Sequence, residues 1–134
     1  MPKIENGISA ITMLGGLDNA KAEKLAEINE GYEAVVRQLM PTYPDSERLT
    51  FDKQESEARA WQADNGAATP LLDALAAGRQ MDKAELVQRV IAKADAFSAA
   101  TGMLTGQRQR LEDALDAAKN LAEVRAIEVA YSLG

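Results

Sequence analysis

Between Lys83 and Lys119 an apolar residue returns at every seventh position, in the order Val90, Phe97, Leu104, Leu111, Ala118. A strand turns successive side chains to opposite faces and cannot keep such a set together, whereas a helix holds it on one stripe. No proline interrupts the stretch, and Asp82 with Glu85 three places on forms a capping box with Asp in place of Ser or Thr. The spacing predicts one long amphipathic helix over about 83–119. Gly102 and Gly106 oppose it, since each costs about 1 kcal/mol relative to Ala in a helix interior. The stripe nevertheless keeps its phase across both glycines, which favours a single helix, bent near Gly102, over a hairpin broken at 101–106. The flanking seam is mixed: Ala94, Ala100 and Leu115 share it with Lys93, Thr101, Gln107 and Arg108. A strict coiled coil wants both seams apolar.

The rest of the chain also reads as helix. Leu25, Ile28, Tyr32, Val35, Val36 and Leu39 recur at three- and four-residue steps and predict a helix over 19–40, stopped by Pro41 and Pro44. A second fits 50–64, carrying Phe51, Ala58 and Trp61, with Asn65-Gly66 as a left-handed stop. Thr69-Pro70 opens a third as N-cap and first helical residue. Asn120 and Glu123 open a short last helix carrying Leu121, Val124, Ile127 and Tyr131. The fold class is therefore all-α: a small bundle of four to five helices, forming a single helical domain over 18–134. Residues 1–17, punctuated by Asn6-Gly7 and Gly15-Gly16, read as an N-terminal arm. That arm is either loosely ordered or docked on a partner through Ile8 and Ile11.

Several function classes are disfavoured by what the chain lacks. With neither Cys nor His among its 134 residues, it has no disulfide, no thiolate ligand or nucleophile, and neither the commonest metal ligand nor the commonest neutral-pH base. The net charge of −6 leaves no basic stripe for phosphates. Neither nucleic acid nor an anionic membrane is expected as a partner. No apolar run reaches the roughly 18 residues of a membrane span, and the first residues do not read as a secretory signal. The expected location is the cytoplasm, at least until the chain is assembled into something larger. Glu55 and Glu57, and Glu112, Asp113 and Asp116, sit among Lys, Arg and Gln, as on a solvated helix face rather than in an acid–base site. No catalytic, cofactor-binding or metal-binding residue is assigned. Gly102 and Gly106 have the four-residue spacing that lets helices approach closely, here outside any apolar span.

One stretch goes beyond class. Leu-Thr-Phe-Asp-Lys-Gln-Glu-Ser-Glu-Ala-Arg-Ala-Trp from Leu49, Ala-Thr-Pro-Leu-Leu, Val-Ile-Ala-Lys-Ala-Asp-Ala-Phe, and Gly-Gln-Arg-Gln-Arg-Leu-Glu-Asp-Ala-Leu-Asp-Ala-Ala from Gly106 follow one another, with Leu-Ala-Glu-Val-Arg-Ala-Ile at the end. Over about 49–128 the chain resembles helical accessory proteins of phage and prophage tail modules, of the tail-fibre-associated or tail-fibre-assembly type. The resemblance implies a non-enzymatic assembly chaperone or small tail or baseplate subunit, with a tail or tail-fibre protein, or a further copy in a homo-oligomer, as partner. It transfers no catalytic residue. The expected partner interface is Val90, Phe97, Leu104 and Leu111, with Ile8 and Ile11. A small acidic phage-encoded inhibitor or regulator of a host protein is the alternative, and would need its carboxylates gathered on one surface. An enzyme would need a shielded carboxylate in a pocket.

Overall fold

The computed structural model describes residues 15–40 and 42–134 with their side chains. Six helical segments follow in order: α1 (Pro2–Leu39), α2 (Asp45–Arg48), α3 (Phe51–Ala63), α4 (Pro70–Arg79), α5 (Lys83–Ala117) and α6 (Leu121–Arg125). No strand occurs among the described residues. The all-α class and the single long helix over 83–117 are as the sequence predicts, and no hairpin breaks α5 at 101–106. Gly15 and Gly16 lie within α1 instead of ahead of it. The arm reading of 1–17, and Ile8 and Ile11 with it, falls largely outside the described side chains.

The chain divides into two compact units, where the sequence reading has one domain over 18–134. Unit 2 is the continuous stretch Met40–Ala100, and unit 1 joins Met1–Leu39 to Thr101–Gly134. In unit 2, Ala58 of α3, Leu72 and Ala76 of α4, and Leu86, Val87 and Ile91 of α5 form the core, bordered by Trp61, Leu75, Met81 and Val90. Ala58 and Leu72 are completely buried, and the small alanine lets α3 and α4 close on each other. The Lys83 ammonium lies 5.0 Å from the Trp61 ring centroid and 2.7 Å from Asp73 Oδ1. Hydrogen bonds from Lys83 and the Thr69 hydroxyl hold the exposed Asp73 carboxyl below the usual carboxylate range.

The start of α4 is capped from a distance. Thr69 takes the N-cap position, but its hydroxyl turns to Asp73 Oδ1 at 3.0 Å and bonds no backbone amide. The buried Glu57 carboxylate of α3 fills that role, accepting from the Leu71 N–H at 3.3 Å and the Leu72 N–H at 3.0 Å. The expected left-handed stop at Asn65-Gly66 is corrected. Among the described residues only Gln80, at φ 55°, and Gly134, at φ 127°, have positive φ. After α3 the Asp64 side chain accepts the Gly66 N–H at 2.9 Å, a local turn that needs no left-handed residue. The left-handed stop falls after α4, where Gln80 permits the Met81 N–H to bond the Ala76 carbonyl at 2.9 Å.

In unit 1, Ile28 of α1, Leu111, Leu115 and the following Ala118, and Val124 of α6 form the core, with Leu17, Ala20, Leu25, Ile127, Val129 and Tyr131 around it. Asn120 caps α6 as expected, its Oδ1 accepting the Glu123 N–H at 2.9 Å. The Glu123 carboxylate returns one residue further back than a capping box requires, to the Lys119 N–H at 2.6 Å. The expectation that Ile127 and Tyr131 continue this helix is corrected: α6 ends at Arg125 and residues 127–134 carry no regular secondary structure. Ile127, Val129 and Tyr131 alternate with the exposed Glu128, Ala130 and Ser132, the two-residue period of an extended chain with one side inward.

Candidate interaction surfaces

The long stripe of α5 divides when its members are placed. Leu104 is completely buried and Leu111 is buried beside Ile28 and Val124. Val90 is half-buried against the core of unit 2. Phe97 alone of the four α5 positions is exposed, at 41 %. Three of the four therefore serve this chain's own packing. Ile8 and Ile11 fall outside the described side chains.

A different face of α5 is open. Among the described residues, a Cβ placed on Gly102 or on Gly106 would meet nothing within 4 Å. Met103 between them is half exposed, and with Gln107 and Arg110 these residues line a shallow groove. In a helix, residues three and four places apart lie on one side, and Gly106 stands four places after Gly102 and three after Met103, so it joins them in a low apolar saddle. The basic rim at Arg110 stands one turn further on.

The second arrangement is the tail of unit 1 laid against α1 and α5. Tyr131 donates its hydroxyl to the Ile28 carbonyl at 2.7 Å, and Lys24 Nζ donates to the Ile127 carbonyl at 3.1 Å. The Gln107 side-chain amide pairs with the main chain of Ser132 in both directions. Nε2 donates to the Ser132 carbonyl at 2.5 Å, and Oε1 accepts the Ser132 N–H at 2.9 Å. Gly31 of α1 lies under the Tyr131 ring, where an added Cβ would stand 3.1 Å from the ring edge. Tyr32 meets the same ring at a tilt, centroids 6.3 Å apart, and bonds Thr105 Oγ1 at 2.8 Å. Sequence reasoning passed over Gly31, read Gln107 only as part of the mixed seam of α5, and read Glu57 as part of a solvated face. The alternation of Ile127, Val129 and Tyr131 was the available signal for the tail.

Burial raises the Tyr131 phenol above its ordinary value, with Arg108 pulling the other way and Tyr32 adding to the rise. A folded-state pKa above the unfolded one gives stability that is present below the unfolded value, near 10, and lost as pH climbs through the folded one. Ultraviolet titration is therefore expected to show a late phenolate step from Tyr131, above the ordinary tyrosine value, with loosening of the tail accompanying it. Tyr131→Phe should remove that late step, and an unchanged titration in Tyr131→Phe would disprove the assignment.

The expected solvated face is corrected for Glu57, which is buried against the start of α4; the other described carboxylates are exposed or half-exposed. Arg59 bridges Glu55 at 2.9 Å and Asp95 at 2.7 Å, and Arg108 pairs with Glu112 at 2.9 Å. These are exposed or half-exposed pairs, each contributing little to stability. Among the described residues no group of three or more acidic side chains is placed to hold a metal ion. None of the helices there is long and apolar enough to cross a membrane.

The fold thus defines an all-helical protein in two units. Compared with known families, residues 92–129 match the HI1402 helical domain, a stretch running from the middle of α5 through α6 into the tail. The match takes in the glycine saddle and Gln107. No curated protein and no solved structure matches the chain.

Proposed function

We propose that the chain is a non-enzymatic tail-associated protein of a phage or prophage, acting as a tail-fibre assembly chaperone or a small tail or baseplate subunit in the host cytoplasm or the virion. It binds its partner, a tail or tail-fibre protein, through helix–helix contact. The resemblance over 49–128 supports the biological setting, and the outer face of α5 supports the mode of contact. The observation that carries it is the pair Gly102 and Gly106 inside a long helix, where none of the described residues comes within 4 Å of an added Cβ. Glycine weakens a helix, so two of them on one face beside an exposed methionine fit a surface shaped for a close-approaching helix.

The test separates stability from binding. Gly102→Ala and Gly106→Ala are each expected to stabilise the isolated chain by about 1 kcal/mol, because a methyl group meets open space and restricts the unfolded chain. Gly106→Leu should leave the fold intact while abolishing co-purification with a tail-fibre protein. Retained co-purification in Gly106→Leu, at wild-type yield, would remove this face from the interaction.

A further inference from the structure

The tail of unit 1 is held as a bound peptide is held. Beyond the Ile127 N–H, which bonds the Val124 carbonyl at 3.2 Å, no main-chain group from 128 to 134 bonds another main-chain group among the described residues. Its polar anchors are instead side chain to main chain: Lys24 on Ile127, Tyr131 on Ile28, and the two-way amide pair of Gln107 with Ser132. A side-chain amide that both donates to and accepts from one residue's main chain reads an extended backbone whatever its side chain. Specificity then falls to the alternate inward positions, as in other modes of extended-peptide recognition. Those positions hold Ile127 and Val129 against the Ile28 and Val124 core, and Tyr131 over Gly31. Past them the segment is open to solvent, with Leu133 half exposed. The Gln107–Ser132 pair is exposed and the Lys24 and Tyr131 bonds are only part-buried, so the segment detaches at lower free energy than the helices beneath it.

We propose that the cleft between α1 and the 101–117 part of α5 is a binding site for an extended segment of a partner polypeptide, with aliphatic, aliphatic and tyrosine side chains at alternate positions, and that residues 127–132 fill it in cis. The occupant's chemistry is given by the segment seated there. Two aliphatic side chains cover Ile28, a phenol reaches the Ile28 carbonyl over Gly31, and the next residue offers a free N–H and carbonyl to Gln107. The chain's own tail then acts as a competitor, lowering apparent affinity by the fraction of time it is docked. This site meets the glycine groove of α5 only at Gln107, and either can fail without the other.

The test uses a fluorescein-labelled peptide with the sequence of residues 126–134, followed by fluorescence anisotropy against the full chain. Two variants loosen the tail and leave the cleft unaltered. Tyr131→Ala removes the phenol, and Ser132→Pro removes the N–H that Gln107 accepts. Both are expected to bind the peptide about tenfold or more tightly than the unmodified chain, which is closed by its own tail. A peptide with Ala at the tyrosine position should bind Ser132→Pro about tenfold more weakly, through loss of the buried ring and its hydrogen bond. Absence of saturable binding to Ser132→Pro, with its helix content intact, would overturn the proposal. So would equal binding by the tyrosine-free peptide. Loss of helix content in Ser132→Pro would overturn it as well, because the tail would then be an integral part of the core.

Discussion

Replacing Leu104 or Leu111 by Asp is expected to unfold unit 1. Leu104 is completely shielded from solvent, and Leu111 touches the cluster that joins Ile28 of α1 to Val124 of α6. A carboxylate there has no partner, and burying one costs several kcal/mol, of the same order as the total stability of about 5–15 kcal/mol of a small protein. Truncation is milder: Leu104→Ala should lose about 2–5 kcal/mol, read as a lower midpoint in urea followed by circular dichroism. Met103→Asp, one residue away and half exposed, serves as the control and should leave the midpoint within about 0.5 kcal/mol of the parent. A Leu104→Asp chain with the parent's midpoint would mean that this side chain faces outward. The sequence reading placed Leu104 and Leu111 in a partner interface, where such a change would spare the N-terminal helices. Ile28 sits in the same cluster as Leu111, so α1 would lose its support together with α5.

Removal of the Glu57 carboxylate is the second large effect. It meets two amides at the first turn of α4, and the Leu72 amide bond is buried. Glu57→Ala leaves both donors without an acceptor and is expected to cost about 3 kcal/mol, since each unsatisfied buried group carries about 1–3 kcal/mol. Glu57→Gln keeps one carbonyl oxygen and should recover roughly half of that loss. Lys53, 3.9 Å from the carboxylate and largely exposed, should matter far less, so Lys53→Ala gives a near-silent comparison. Hydrogen exchange provides the local readout, with the Leu71 and Leu72 amides losing protection first in Glu57→Ala. If those amides stay protected, the cap lies elsewhere.

How much of this was readable beforehand depended on the range of the interactions. Local rules carried the helices: the phase of Val90, Leu104 and Leu111, the Asp82 and Asn120 caps, and Pro70 at the first turn all act within a few residues. They located α3, α4, α5 and α6 to within a few positions at most ends. What they missed is non-local. Glu57 caps a helix that begins 13 residues later, and nothing in its neighbours marks it as different from Glu55. Gln107 is one polar residue in a polar run until Ser132 lies beside it. Ile127 and Tyr131 fit a helical step of four as well as an alternating strand, and the contact of Tyr131 with Ile28 decided for the second. The candidate interface fared similarly. The stripe was legible as a stripe, but periodicity alone does not say whether the chain covers it, and Leu104 and Leu111 are covered. The open face at Gly102 and Gly106 was visible only as two helix-weakening residues.

The division of α5 between the units bears on the order in which the chain assembles. Unit 2 is a single uninterrupted stretch, Met40–Ala100, and all its core partners are made within that span. Unit 1 brackets it, and α1 meets residues about a hundred positions later: Lys24 with Ile127, Ile28 with Tyr131. Closing so long a loop is slow compared with pairing neighbours, and the chain leaves the ribosome from its N-terminus. α1 is therefore made well before its packing partners, and its apolar side stays uncovered until α6 and the residues after it have emerged.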